Sequence, residues 1–195
     1  NNRPVVYLYD AYCFEKNPER WRWFWNELRS KIRYTTGRDL FIVANAINQA
    51  FVDNPKTIQI FLETFDLVTS YNLLSPSMTS PVKFCEFLRQ TERKYEMAAM
   101  PEHRSRISPV VMPGYRDFRP TLIGLPRSVE LYDDMWMSAI AKSRDVVFVV
   151  SWNEFYEGTA IEPTVEDGYV FIERTKYWSD LFRGGDEFDS RKATC

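Results

Sequence analysis

The sequence predicts an α/β fold built from parallel strands joined by helical crossovers. First, five apolar runs of strand length alternate with five longer stretches of helical, 3.6-residue periodicity. Second, each apolar run exits into a polar or aromatic residue, as expected at the carboxyl ends of parallel strands. Third, Val146-Val-Phe-Val-Val150 is continuously apolar, which suits a strand covered by helices on both faces. Five units are too few to close a (β/α)8 barrel, which needs eight strands and typically ~250 residues. Alone they would expose an apolar face and two strand edges. The wiring therefore fits either a portion of a longer barrel or an open α/β sheet.

Residues 4–9 form a short apolar run ending at Asp10 and read as the first strand. Residues 18–34 read as a helix: Pro18 suits the first helical position, and Trp21, Phe24, Trp25, Leu28 and Ile32 recur at helical spacing. Gly37 is placed to stop it. Residues 39–44 are a second strand ending at Asn45, and residues 55–64 a helix with Asn54 as its cap. Residues 65–71 read as a third strand, and Ser80 and Pro81 open a helix to about residue 97. Residues 106–112 are a fourth strand, weakened by Pro109, which cannot donate to a ladder. Pro113-Gly-Tyr115 is its sharp exit. A helix over 128–143 directs Leu131, Met135, Ile140 and Ala141 inward, and the fifth strand and a helix over 169–182 complete the series. Residues 1–183 are taken as the folded portion and 184–195 as a polar C-terminal tail.

Composition removes several function classes. With 25 basic and 27 acidic residues, the net charge of −2 gives no global field toward nucleic acid or anionic membrane. No apolar run approaches the ~20 residues of a membrane span. Neither a Gly-x-Gly-x-x-Gly nor a Gly-Lys-Ser/Thr fingerprint occurs among the 7 glycines, so a nucleotide-binding Rossmann domain is unsupported. The one histidine, His103, lies in a polar connector, which rules out a His-rich metal site; no metal or cofactor is expected. Cys13, Cys85 and Cys195 form no Cys-x-x-Cys pair and cannot all pair with one another. That argues against a disulfide scaffold and for a reducing, cytoplasmic location. Cys13 has no histidine beside it and reads as a packed residue. The chain opens Asn-Asn-Arg-Pro, with neither a starting methionine nor a signal peptide, and its beginning reads as a cut. Aromatics reach 16%. Most suit a core, but Trp and Tyr in excess also suit sugar-binding clefts.

The strand exits supply the candidate site: Asp10 and Tyr12, Asn45, Tyr71 and Asn72, Tyr115 and Arg116, then Trp152, Asn153, Glu154 and Glu157. Glu154 and Glu157 are the most specific. On a helical turn, residues three apart share a face with Cβ atoms ~5–6 Å apart. Two carboxylates that close repel as anions, so one can stay protonated while the other is ionised. An acid and a base together are what cleavage of a glycosidic bond requires. The alternative is a solvated loop with two surface acids, and spacing alone leaves both open.

The segment Trp152-Asn-Glu-Phe-Tyr-Glu-Gly-Thr-Ala-Ile-Glu-Pro163 resembles the Asn-Glu-(aromatic)-x-Glu-Gly-Thr-x-Ile-Glu-Pro signature of glycoside hydrolase family 99 and its relatives. Residues 4–10 are similar to the family's Pro-Val-Val strand, Phe65-Asp66 through Tyr71 to its Phe-Asp…Tyr strand, and Val111-Met-Pro-Gly-Tyr115 to its Pro-Gly-Tyr/Phe exit. Arg127 to Tyr132 and Trp136 resemble the stretch before the catalytic strand. The resemblance implies a (β/α)8 TIM-barrel type of fold, of which this chain carries about five βα units as a C-terminal, partial barrel. It further implies hydrolysis of α-linked, mannose-containing glycans, with retention and without a metal. Glu154 would be the base on the substrate's 2-hydroxyl, giving a 1,2-anhydro sugar, and Glu157 the general acid and later base. Trp152, Asn153, Tyr156, Asp10, Tyr12, Asn45, Tyr71 and Tyr115 would contact the oligosaccharide or polysaccharide. The family's enzymes usually carry Trp and often His where this chain has Phe155 and Tyr156, which implies different sugar contacts there. Two alternatives stand beside this. One is a non-catalytic carbohydrate-binding or polysaccharide-biosynthesis-associated module. The other is a structural partial barrel that pairs with its missing N-terminal part, another chain or a second copy of itself.

Overall fold

The computed structural model describes residues 2–47, 54–71, 80–116, 124–142 and 145–184. Five strands and five α-helices alternate: β1 (Val5–Leu8), α1 (Pro18–Thr36), β2 (Phe41–Asn45), α2 (Pro55–Thr64), β3 (Leu67–Thr69), α3 (Pro81–Ala98), β4 (Val110–Val111), α4 (Val129–Ala141), β5 (Phe148–Val149) and α5 (Val170–Phe182). Two 3₁₀ segments, Ala11–Lys16 and Pro101–Arg106, occupy stretches that the sequence suggests are plain loops. The chain divides into two compact units, Asn1–Leu73 with Gln90–Ser108 and Leu74–Arg89 with Pro109–Cys195.

In the first unit β1, β2 and β3 form a parallel sheet in that order, with Val6 opposite Ile42 and Ala44 opposite Val68. Ile107 extends the ladder by one parallel bridge to Val68. Ile42, Val43, Ala44 and Val68 are buried, as are Ile58, Phe61 and Leu62 of α2. The start of α2 is fixed by Pro55 in its first turn and by the Asn54 side chain, which accepts from the Lys56 and Thr57 amides at 3.1 and 3.3 Å. Gly37, at φ 67°, ends α1 with its amide donating to the Arg33 carbonyl at 2.9 Å. Of the aromatic stripe expected to bury α1, only Trp25 is fully covered; Phe24 is exposed. Tyr95 of α3 is fully buried and donates to the Ala46 carbonyl at 2.9 Å. Burial, and then the nearby Glu15 charge, pushes its phenol above the usual tyrosine range.

A charge cluster closes this unit at the amino ends of its strands. The Asp66 carboxylate accepts from Arg3 at 2.8 Å, from Arg29, and from the Ile42 amide at 2.9 Å. The Asp66 amide donates in turn to the Ile42 carbonyl at 2.9 Å, so one residue joins β2, α1 and the start of β3.

In the second unit β4 and β5 pair in parallel, Val110 opposite Phe148 and Val111 opposite Val149. Pro109 sits just outside β4 and contributes its carbonyl, which accepts from the Phe148 amide at 3.0 Å. Proline is thus confined to a position where its missing donor is not needed. The expectation that residues 146–150 are covered on both faces is corrected: positions 146–149 are half-buried and only Val150 is buried. Among the described residues β5 pairs with β4 alone, so one edge lacks a neighbouring strand. The inward face of α4 is also corrected. Leu131, Tyr132, Met135 and Trp136 are buried, whereas Ile140 is half-buried and Ala141 exposed, because α4 packs against both β4 and α5. The Tyr132 ring meets Phe171 edge-on at 5.7 Å, and Asp133 accepts from Arg174 at 2.8 and 2.6 Å and from the Trp178 indole at 2.6 Å.

The cysteine reading changes as well. Cys85 is disulfide-bonded, and Cys13 is a free, exposed thiol rather than a packed one. A disulfide removes the cysteine argument for a reducing compartment. Among the described residues no helix is long and apolar enough to cross a membrane.

Candidate active site

The loop leaving β5 is folded by its own short polar residues. The Val150–Ser151 peptide is cis. The Ser151 hydroxyl accepts from the Glu154 amide at 2.9 Å and shares a hydrogen bond with the Thr159 hydroxyl at 2.9 Å. The Ser151 amide donates to the Thr159 carbonyl at 3.0 Å, and the Thr159 amide to the Glu154 carbonyl at 3.2 Å. Residues 151–159 thereby form a closed loop, with Glu154 and Glu157 both on it and both half-buried. The Gly158 amide returns to the Phe155 carbonyl at 3.1 Å, so residues 155–158 make a tight turn.

Two contacts tie this turn to the exit of β4. The Arg116 amide donates to the Glu157 carbonyl at 2.8 Å, and the Arg127 guanidinium donates to the Gly158 carbonyl at 2.6 Å. Glycines lie beside both partners. Gly158 sits at φ 64°, and a Cβ there would lie 3.2 Å from the Arg116 nitrogen. At Gly114 a Cβ would lie 2.6 Å from the Arg127 Cα, inside the van der Waals limit. The Pro-Gly-Tyr exit is therefore a packing requirement as well as a turn.

Around the glutamates the loop offers rings to solvent: Trp152, Phe155 and Tyr156 are 52%, 47% and 79% exposed. Asn153 is also exposed, its carbonyl accepting from the Phe155 amide at 3.0 Å. Tyr115 behaves otherwise. It is 1% exposed and exchanges both backbone bonds with Leu125, at 2.9 and 2.5 Å, so its side chain belongs to the core of this unit.

The remaining sequence candidates lie in the first unit, at the carboxyl ends of its strands. Asn45 is buried, and its side-chain oxygen accepts from the Tyr71 amide at 3.0 Å, tying the end of β2 to the exit of β3. Asp10, at φ 53°, opens the 3₁₀ segment, its carbonyl accepting from the Cys13 amide at 3.0 Å. Tyr12 follows within that segment; its side chain lies outside the described residues, as does Asn72. Tyr71 meets the Tyr9 ring edge-on at 5.4 Å.

Tyr7 and Tyr9 were not singled out from sequence, although their two-residue spacing on a strand places them on one face. Both are exposed, Tyr7 by 42%. Burial of the Tyr7 hydroxyl region, then the charges of Tyr71, Tyr9 and Asp10, push its phenol up to about 12. A folded-state value above the unfolded one means that the native state keeps its proton longer. Its stabilising contribution is complete below pH ~10 and is lost as pH rises toward 12. Burial raises the Tyr95 and Tyr132 phenols as well, so ultraviolet titration should show several late-ionising tyrosines and one fewer in Tyr7→Phe. Loss of no late phase in that variant would count against the assignment.

Among the described residues no group of three or more His, Cys, Asp or Glu side chains is gathered as a metal site would require.

No protein-family model and no curated protein matches the sequence. In fold the chain is similar to the GH99 endo-α-mannosidase from Bacteroides thetaiotaomicron, at 21% identity and a TM-score of 0.60, covering 95% of this chain and 56% of that one. It is likewise similar to that organism's GH99 endo-α-mannosidase in complex with bis-tris-propane, at 22% identity and a TM-score of 0.62, covering 94% of this chain and 59% of the other. The chain thus spans less than two thirds of the length of these solved structures.

Proposed function

We propose that this chain is a partial (β/α)8 barrel, residues 1–183 followed by a polar tail, carrying the acid–base pair of a retaining glycoside hydrolase for α-linked, mannose-containing glycans. The observation that carries the reading is the closed 151–159 loop at the end of β5, with two glutamates on it and three solvent-facing rings beside them. Such rings suit the apolar faces of sugars, and paired carboxylates suit the leaving group and the attacking oxygen. Likeness in fold to an endo-α-mannosidase supports the same class.

In the proposed reaction Glu154 takes the proton of the sugar's 2-hydroxyl, and that oxygen bonds to C1 as the C1–oxygen bond to the leaving group breaks. Glu157 gives its proton to the departing oxygen. Water then adds to C1, Glu157 takes a proton from it, and the C1–O2 bond opens as O2 recovers its proton from Glu154. Atoms balance without an oxidant or a metal. Inversion at each of the two steps gives overall retention.

The test is incubation of the protein with α-mannosidic oligosaccharides. Release of new reducing ends, with the α-anomer formed first by proton NMR, is the expected result. The three solvent-facing rings also suit one alternative, a carbohydrate-binding module that does not catalyse. Saturable binding by calorimetry with no reducing ends after prolonged incubation would establish that alternative and end the hydrolase reading.

A further inference from the structure

We infer that Arg127 is a positioning residue for the general acid, a strap that sets where the Glu157 turn sits. This rests on the reading of Glu157 as the working acid. Arg127 precedes α4, far from the glutamates in sequence, yet its guanidinium reaches their loop. One nitrogen donates to the Gly158 carbonyl at 2.6 Å, immediately after Glu157. The other face of the fork meets the Asp167 carboxylate at 3.1 and 2.7 Å. The guanidinium carbon also lies 4.6 Å from the centre of the Phe171 ring, at the start of α5. Asp167 is itself fixed, because its amide donates to the Thr164 hydroxyl at 2.9 Å.

The side chain therefore links three segments of the second unit: the start of α4, the glutamate turn and the turn before α5. A planar fork with several donors can make these bonds at once, and an ammonium cannot. The Arg116 amide restrains Glu157 from the other side through its carbonyl. Without Arg127 the turn keeps the Arg116 bond and the loop's own hydrogen bonds but loses its anchor at Gly158, so the backbone that carries Glu157 is less firmly placed. A displacement of ~1 Å in a catalytic group can lower turnover ~10²-fold.

The experiment compares Arg127→Ala, Arg127→Lys and Asp167→Asn in the parent protein, with Glu157→Gln as control. Hydrogen exchange at the amides of residues 151–159 is expected to rise about tenfold or more in Arg127→Ala while α4 and α5 amides keep parental protection. On a cleaved oligosaccharide, kcat is expected to fall about 10- to 100-fold with KM within about twofold. Arg127→Lys should recover little, and added guanidinium should partly restore Arg127→Ala. Parental exchange at the loop in Arg127→Ala would overturn the strap. Parental kcat in Arg127→Ala, with Glu157→Gln inactive, would overturn the positioning role. Parental turnover in Glu157→Gln would instead remove the reading on which the role rests, leaving loop exchange to decide whether the strap exists.

Discussion

Glu154→Gln and Glu157→Gln are each expected to lower turnover by about 10²- to 10⁴-fold, the usual worth of a positioned acid or base. Glutamine keeps the shape and the hydrogen-bonding reach of the side chain, so the circular-dichroism spectrum and the unfolding midpoint should match the parent. The fold requirement is carried by the backbone and by Ser151 and Thr159, whose hydroxyls close the loop. The two variants should part company on substrates with activated leaving groups. A departing group that needs no proton relieves the general acid of its first task, so Glu157→Gln should recover its first step. Glu154→Gln should not, because the 2-hydroxyl still has to lose its proton. Recovery in Glu154→Gln alone would reverse the two roles. Parental turnover in both variants would remove this pair from the chemistry.

Asp66→Ala is expected to cost about 3 kcal/mol of stability, the low end of the range for breaking a buried ion pair, because solvent reaches the cluster. The carboxylate is 16% accessible and is the acceptor shared by Arg3, Arg29 and the Ile42 amide. Removing it leaves two guanidinium groups facing each other and a strand amide without its side-chain acceptor. For a chain of this size the melting temperature should fall by about 2–4 °C per kcal/mol. Asp66→Asn should lie between, since an amide oxygen can still accept from Ile42 but carries no charge. The difference between parent and Asp66→Ala should shrink in high salt, where screening weakens the ionic part. A melting temperature within a degree of the parent would show that Asp39, which also faces Arg3 and Arg33, takes over the cluster.

Local signals in the chain proved readable. Asn54 with Pro55, and Pro18 with Gly37, mark helix ends because capping depends on residues within one turn. Glu154 and Glu157 are similarly legible as members of one loop, since they are close in sequence and the turn that relates them is short. What depends on distant partners was not legible. Arg127 bonds to a carbonyl 31 positions away and a carboxylate 40 positions away, and nothing in its own neighbourhood announces either. The apolar run before Ser151 correctly indicated a strand. Its burial was overstated, because composition reports an affinity for covering, not the presence of a neighbour to provide it. Tyr115 reads from the sequence as a strand-end substrate contact, while in the structure its side chain is buried and its backbone pairs with Leu125.

The two compact units are interleaved along the chain, which crosses between them after residues 73, 89 and 108. A ribosome releasing this chain therefore finishes neither unit in one stretch. The β1–β2–β3 sheet is complete once Thr69 has emerged, but the tyrosine that closes over Ala46 and the bridge from Ile107 arrive only with residues 95 and 107. At ~5–20 residues per second that interval lasts a few seconds, during which the sheet has its strands but not its cover. No single protease cut can separate the two units, and truncation at any point before residue 108 leaves both incomplete. Dissection of this protein by deletion therefore has no natural boundary within those first 108 positions.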